Sequence, residues 1–335
     1  MTTIDSIMSI SHYIKEIGRG SKGARSLTRA QACELMGLLL DCRVSDLELG
    51  GFCIAMRFKG ESADELAGFL DATLQRLPAW PQADAAGPVV VIPSYNGARK
   101  LANLTPLLAG LLARQGLAVL VHGCDTESRR IGTQAVWQEL GWKIIERPTT
   151  LEPGDMAWMR TRHLLAPLER LLQLRRQMGL RNPAHSLVKL LDPMQGPDLQ
   201  RSGLVLASYT HPAYAESMAQ TLALRGTSAL LLRGSEGEAV APPHREPSSM
   251  GLIAGRICFE RAAIRSQLAG DEAAPEQDLD AAQTARLIED MLAGRRPVPA
   301  PIAAQVEQIL ALHAAMQNPG EQTQAGLQAL HRNPD

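Results

Sequence analysis

Lysine is scarce in this 335-residue chain: of 34 basic residues, six are Lys and 28 are Arg. The Arg guanidinium grips phosphate or carboxylate through a planar fork, whereas Lys offers a point charge. Aromatic residues are few, with four each of Trp, Tyr and Phe, which argues against a single-strand reader that stacks bases on rings. The five cysteines (Cys33, Cys42, Cys53, Cys124 and Cys258) are odd in number and form no CxxC pair. Neither a disulfide framework nor a zinc site is expected, and a reducing compartment fits. No apolar run reaches the roughly 18–20 residues of a membrane span. Residues 1–10 lack the basic start and apolar stretch of a secretory signal. A cytoplasmic protein with no membrane segment is expected. No zinc finger, basic zipper or convincing helix-turn-helix pattern is present, so base-specific readout is not expected.

The net charge is only −1, so there is no global polycation, but the charges are unevenly placed. From Met156 to Leu191 seven cations (Arg160, Arg162, Arg170, Arg175, Arg176, Arg181 and Lys189) face one acid, Glu169. Lys15, Arg19, Lys22, Arg25 and Arg29 face Glu16 near the amino terminus. Residues 261–335 reverse the balance, with ten acids against six bases. At 45% hydrophobic residues the chain can bury a large core.

The first 80 residues read as helices. Thr28 is an N-cap for a helix from Ala30 to Leu40, Ser45 starts another to about Phe58, and Ser62 a third to Leu74. Residues 77–87 read as a linker. Beyond them strands alternate with helices. Strand signals lie at 89–92, 117–121, 142–146, 203–208 and 228–232, and helical runs at 105–115, 133–140 and 213–224. That alternation predicts a mainly parallel sheet covered on both faces. Residues 268–280 read as an acidic surface loop, 283–292 and 302–315 as helices, and the tail after Asn318 as frayed. The expected division is a helical domain over 1–80 with a basic N-terminal extension, and an α/β domain over 88–335 with a helical C-terminal part.

The stretch LTRAQACELMGLLLDCRVSDLELGGFCIAMRFKGESADELAGF resembles the opening helices of the anthranilate phosphoribosyltransferase family. The likeness covers about residues 25–315. It implies a small helical domain that dimerises, packed on a large α/β domain with the fold shared by the pyrimidine nucleoside phosphorylases. It also implies Mg²⁺ and phosphoribosyl pyrophosphate as cofactor and substrate of the parent reaction.

Family enzymes carry a GTGGDG turn whose bare backbone N–H groups approach a pyrophosphate. Here the turn reads Pro93-Ser94-Tyr95-Asn96-Gly97-Ala98: one glycine remains, Pro93 has no N–H, and Tyr95 takes up space. Asn103 still matches the family Asn. The KHGN motif reads Val121-His122-Gly123-Cys124, keeping only His122 and Gly123. The carboxylate pair that would hold Mg²⁺, a hard cation needing oxygen anions, falls on Ala239 and Val240, with Glu238 one residue early. Asn96, Gly97, Asn103, His122 and Gly123 are thus a remnant phosphate and ribose pocket, with no catalytic residue and no metal ligand assigned. Taken alone, Asn103 could be a helix cap and His122 a structural histidine.

New cations accompany the losses: Arg99-Lys100 after the first turn, Arg129-Arg130 after the second strand, and Arg175, Arg176, Arg181 and Lys189 in LRRQMGLRNPAHSLVKLLDPM. PSYNGARK and GLRNPAHSLVKL resemble a side branch of the family, bacterial non-catalytic paralogues that bind DNA without sequence preference as dimers. The expectation is therefore a homodimer that binds nucleic acid, most simply DNA, with no cofactor. Lys15, Arg19, Lys22, Arg25, Arg99, Lys100, Arg129, Arg130, Arg160, Arg162, Arg175, Arg176, Arg181 and Lys189 would contact phosphates, the N-terminal segment wrapping an extended polyanion. Dimerisation would use an apolar surface including some of Leu38, Leu40, Leu49 and Phe52. The competing reading is a divergent phosphoribosyl or pentosyl transferase using Mg²⁺ and phosphoribosyl pyrophosphate. A third, a protein-interaction module, would use the acidic C-terminal segment.

Overall fold

Capping side chains fix the helices of the N-terminal domain. Thr28 Oγ1 accepts a hydrogen bond from the Gln31 N–H, and the Gln31 side-chain Oε1 accepts one from the Thr28 N–H, starting α2 (Arg29–Leu40). Ser45 starts α3 (Asp46–Lys59), and Ser62 with Glu65 starts α4 (Ala63–Leu74) with a second reciprocal box. Each such pair satisfies N–H groups that a helix cannot serve itself. Glu65, fully buried, also accepts from the Leu27 N–H at 2.9 Å and from Lys59 Nζ at 2.6 Å. Ahead of α2 a short helix, α1 (Ser11–Ile17), packs Tyr13 and Ile17 inward. Part of the segment expected to wrap a polyanion is thus helical: Lys15 lies on this helix, and Arg19 pairs with Glu16 at 2.6 Å.

The computed structural model describes residues 7–20, 22–81, 87–195, 203–265 and 279–318. Most of the expected acidic loop and the whole tail beyond Asn318 lie outside them. The α/β part runs β1 (Val90–Ser94), α5 (Thr105–Arg114), β2 (Val119–Gly123), α6 (Thr133–Glu139), β3 (Ile144–Ile145) and β4 (Met156–Arg160). It continues with α7 (Thr161–Met178), α8 (Ala184–Leu187), β5 (Leu204–Tyr209), α9 (Ala213–Leu224) and β6 (Ala229–Arg233). The chain ends in β7 (Arg245–Glu246), β8 (Ser249–Ile253), β9 (Arg256–Arg261), β10 (Ile264–Arg265), α10 (Ala281–Leu292) and α11 (Ala300–Gln317).

The main sheet has the order β3-β4-β2-β1-β5-β6-β8-β9, parallel through β6 and antiparallel at β8 and β9. Successive residues of β1 and β5 feed opposite layers, as strand geometry requires. Val91, Val205 and Ala207 join the helical domain's core, while Val90, Ile92, Leu204 and Leu206 pack with α5, α6, α10 and α11. Both faces are covered, which is why the strands read as unbroken apolar runs.

Sequence reading leaves out β4 and the β8–β9 hairpin. Strand β4 is five residues, MAWMR, without β-branched residues. The hairpin turns on Ala254 and Gly255, both with positive φ (47° and 76°), a two-residue turn that matches strand twist. Helix α7 is broken at Leu165 (φ −160°, ψ 100°) just ahead of Pro167, which has no N–H to continue the ladder.

Arg225 joins the two domains. It is 6% exposed and ion-pairs with Asp71 of α4, which Arg29 also grips. Its other nitrogen donates to Gln195 Oε1 at 2.6 Å. Among the described residues no helix is long and apolar enough to cross a membrane, and all five cysteines are free thiols.

Candidate functional site

The loops after β1, β2, β4, β5 and β6 meet at the carboxyl ends of the parallel strands, where open α/β sheets place ligands. Two groups of residues lie there with opposite electrostatic character.

The first is centred on Glu238, which is 1% exposed. Its Oε1 accepts from the backbone N–H of Asn96 at 2.7 Å and of Gly97 at 2.6 Å. Its Oε2 accepts from the Ser94 hydroxyl and, at 3.3 Å, from Thr105 Oγ1. Two residues earlier, the Glu236 carboxylate accepts from the backbone N–H of Arg99 and of Lys100, the latter at 3.1 Å. The turn carrying both glutamates is closed by Ser235 N–H to the Val240 carbonyl at 2.8 Å and Glu238 N–H to the Ser235 carbonyl at 2.9 Å. Gly237 sits at φ +94°, and a Cβ there would come within 1.7 Å of Asn96 Nδ2, so the turn needs a glycine at this point.

The expected remnant pocket is not an open cavity. Asn96 and Gly97 hold Glu238. Asn103 donates to the Ile131 carbonyl at 3.1 Å and to Thr133 Oγ1 at 2.9 Å, while its Oδ1 accepts from Thr105 N–H ahead of α5. Gly123 is needed because a Cβ would strike the Ser94 carbonyl at 1.8 Å. His122 is fully buried, and burial pushes its pKa down to about 4. Its Nδ1 lies 2.8 Å from the Tyr95 hydroxyl and its Nε2 3.3 Å from the Leu191 carbonyl. Thr161 Oγ1 donates to the same Tyr95 oxygen at 3.1 Å. The partners fix a neutral imidazole with its proton on Nε2. Tyr95 thus fills the space and links three strand-end segments.

The residues present do not fit a divalent cation. Ala239 and Val240 are buried among apolar side chains and offer no side-chain oxygen, and both oxygens of Glu238 already accept hydrogen bonds. Among the described residues no group of three or more His, Cys, Asp or Glu could hold a metal ion.

The second group is cationic. Arg175 meets Glu127 at 2.7 Å, Arg130 meets the same carboxylate at 3.3 Å, and Arg181 lies 3.4 Å from Asn96 Oδ1. Burial lowers the Arg181 pKa, and the charges of Arg175, Arg130 and Arg57 push it the same way. Burial raises the Glu127 carboxyl, but Arg175 and Arg130 outweigh that and hold it below the usual range. His185, pushed down to about 3 by burial and by Arg181, has a buried Nε2 without a hydrogen-bond partner. Several like charges thus share one carboxylate.

Two of the expected phosphate contacts have partners within the protein. Lys189 is 9% exposed, its Nζ donates to the Gly237 carbonyl at 3.2 Å, and burial lowers its pKa to about 8. Arg160 grips Glu169 through two nitrogens, at 3.0 and 2.7 Å. The structure leaves Arg99, Lys100, Arg129, Arg162 and Arg176 exposed near the strand ends, and Lys15, Arg19, Lys22 and Arg25 exposed on the helical domain. Leu38, Leu40, Leu49 and Phe52, expected on a dimer surface, are instead in the core, where α4 packs on α2 and α1 packs on α3. The exposed apolar residues of α3 are Leu47, Ile54 and Phe58, which recur at helical spacing. Sequence reasoning missed Arg57, Glu127 and the anchoring role of Glu238. Only the carboxylate of Glu238 and the acid among cations at Glu127 were visible signals.

Residues 11–76 match the family described as the helical bundle domain of the glycosyl transferase family. The chain is 39% identical over 307 residues to the uncharacterized protein YbiB of Escherichia coli K12, covering 89% of this chain and 92% of YbiB. It is 29% identical over 227 residues to an anthranilate phosphoribosyltransferase of Methylocella silvestris, covering 66% and 62% of the two chains. The crystal structure of anthranilate phosphoribosyltransferase from Thermus thermophilus superposes with a TM-score of 0.68 at 20% identity, over 94% of this chain and 92% of that one. The chain belongs to glycosyltransferase family 3. Its fold is that of the anthranilate phosphoribosyltransferases, a small helical domain on a mostly parallel α/β domain. In this member of the family the strand-end region is filled by the chain's own side chains.

Proposed function

We propose that this family member binds nucleic acid, most simply DNA, through its phosphates and without sequence readout, and that it does not carry out phosphoribosyl transfer. The observation that carries the reading is the cluster of Arg130, Arg175 and Arg181 around the carboxylate of Glu127, with Arg57 near enough to Arg181 to push its pKa down. Cations gathered with too few counter-charges favour an anionic partner, and the Arg fork suits phosphate. Exposed Arg99, Lys100, Arg129, Arg162 and Arg176 extend the cationic surface. The occupied backbone cradle and the apolar Ala239 and Val240 speak against the transferase alternative. The free thiols suit a cytoplasmic protein.

The test is a salt titration of binding to two duplexes of unrelated sequence, run beside an assay with anthranilate and phosphoribosyl pyrophosphate. Four phosphate contacts at about −0.9 each give a log–log slope of about −4. Arg130→Ala with Arg175→Ala flattens it by about two units. Sequence-dependent affinity, a slope near zero, or Mg²⁺-dependent turnover on the order of 1–10³ s⁻¹ overturns the reading.

The protein acts as a homodimer in this proposal, with α3 supplying the contact. Leu47 and Phe58 are 86% and 85% exposed, and a second copy of the same stripe would cover them. Light scattering during size-exclusion checks this: the wild type runs as a dimer and Phe58→Glu as a monomer, whereas a monomeric wild type rejects it.

A further inference from the structure

We infer that Lys189 is a modification site, a buried amine beside the arginine cluster that takes up carbon dioxide as a carbamate. The residue lies in the segment after α8, 9% exposed, with its side chain against the turn that carries Gly237. A lysine ammonium has three N–H donors to place. Among the described residues one acceptor receives them, the Gly237 carbonyl at 3.2 Å, and the Ser208 hydroxyl already donates to that oxygen at 2.9 Å. Two donors are left without a partner, a cost that falls hardest on a charged group. A neutral amine has one donor fewer and no charge to bury. Burial and Arg181 lower its pKa to about 8; Glu238 opposes them and Arg130 acts with them.

Such an amine is a nucleophile for carbon dioxide, a small uncharged molecule that enters where ions do not. The nitrogen lone pair forms a bond to the carbon, one carbon–oxygen π pair passes to oxygen, and the nitrogen gives a proton to water. Nothing is oxidised or reduced, and the product carries one negative charge. The surroundings suit that anion better than an ammonium ion. Arg130 donates to the Gly97 carbonyl at 3.1 Å, Arg181 reaches Asn96 Oδ1 at 3.4 Å, and Asn96 Nδ2 donates to the Glu236 carbonyl at 3.0 Å. Both guanidinium groups and Lys189 therefore converge on residues 96–97 and 236–237. Close by, Arg130 Nε and His185 Nε2 are buried without a hydrogen-bond partner, and the Lys189 charge is felt at His185. A carbamate adds an acceptor where donors outnumber acceptors, and guanidinium donors favour an ionised one. The Glu238 carboxylate does not supply it, because its oxygens already serve donors of the segment from β1 to α5.

The test incubates the full chain near pH 8 with ¹³C-labelled bicarbonate, traps carbamates as ethyl esters with a trialkyloxonium salt, and maps the label by peptide mass spectrometry. The expected result is label on the Lys189 peptide at least about tenfold above that on the peptides of exposed Lys22 and Lys100, since an amine near 8 is neutral far more often than an ordinary lysine at 10.4. Lys189→Arg loses that label, and the wild-type map decides the matter even if this variant does not fold. Arg181→Ala keeps the amine but is labelled less, because a cation beside the carbamate is gone. No nucleic acid enters the test, so its outcome is independent of the binding proposed above. A wild type with no label on Lys189, or with no more than on Lys22, overturns the inference, as does equal Lys189 label in wild type and Arg181→Ala.

Discussion

Two neighbouring regions at the strand ends solve opposite problems. Around Glu238 the chain gathers backbone N–H and hydroxyl donors and supplies the anion itself, so every partner is internal. Around Arg181 it gathers guanidinium groups and supplies one half-exposed carboxylate, Glu127. Buried donors left without acceptors cost about 1–3 kcal/mol each, so the first region must be saturated for the fold to stand. Arg130 and Arg175 keep some contact with water, at 20% and 19% side-chain exposure, so the second region is under-neutralised yet still partly solvated.

Substitutions in the two regions should therefore differ first in stability. Glu238→Ala strands two buried backbone N–H groups and is expected to cost several kcal/mol, about 2–6 from two orphaned donors, measured by denaturant unfolding. A loss under about 1 kcal/mol would place those donors in contact with water and break the contrast. Tyr95→Phe comes next: it removes the bond to His122 Nδ1 and leaves the Thr161 hydroxyl to find another acceptor, for about 1–3 kcal/mol. An unchanged unfolding midpoint would show that this network carries no weight.

Acid acts on the buried side of the contrast. Burial lowers His122 to about 4 and His185 to about 3 from an ordinary 6.5, so both take up protons on unfolding and stability is lost as pH falls below 6.5. Burial raises Asp192 to about 6 from 3.8, which gives the opposite sign over roughly that same window. Two histidines against one aspartate leave about one proton taken up on unfolding near pH 5, a slope of about 1.4 kcal/mol per pH unit from these three groups. Stability rising from pH 6 to pH 5 in thermal melts would contradict this sign.

Glu127→Ala sits at the small end. The Arg175–Glu127 pair is partly screened by water, at 19% and 27% side-chain exposure, so its loss should cost about 1 kcal/mol while affinity for duplex DNA rises by up to about fivefold. Weaker DNA binding would mean that Glu127 positions Arg175 instead of competing with phosphate for it.

The helical domain was legible because its signals are local: Thr28 with Gln31 and Ser62 with Glu65 each announce a helix start. The parallel sheet was legible because its strands are continuous apolar runs. Strand β4 was not, since MAWMR has no alternation and joins a basic stretch. The site was half legible. Lost glycines and lost metal carboxylates could be seen, but the direction of Glu238 depends on the backbone angles of Glu236 and Gly237, set by contacts from three distant segments. Lys189 shows the same limit from the other side: it reads as a surface cation, yet the Gly237 carbonyl draws it inward.

The Arg225–Asp71 contact has a mechanical meaning. Arg225 precedes β6, Asp71 belongs to α4, and Arg29 from α2 reaches the same carboxylate. Swinging the helical domain away from the sheet would strand a nearly buried guanidinium, a loss of about 3–5 kcal/mol when such a pair is broken. That latch favours one spacing between the cations of the helical domain and those at the strand ends.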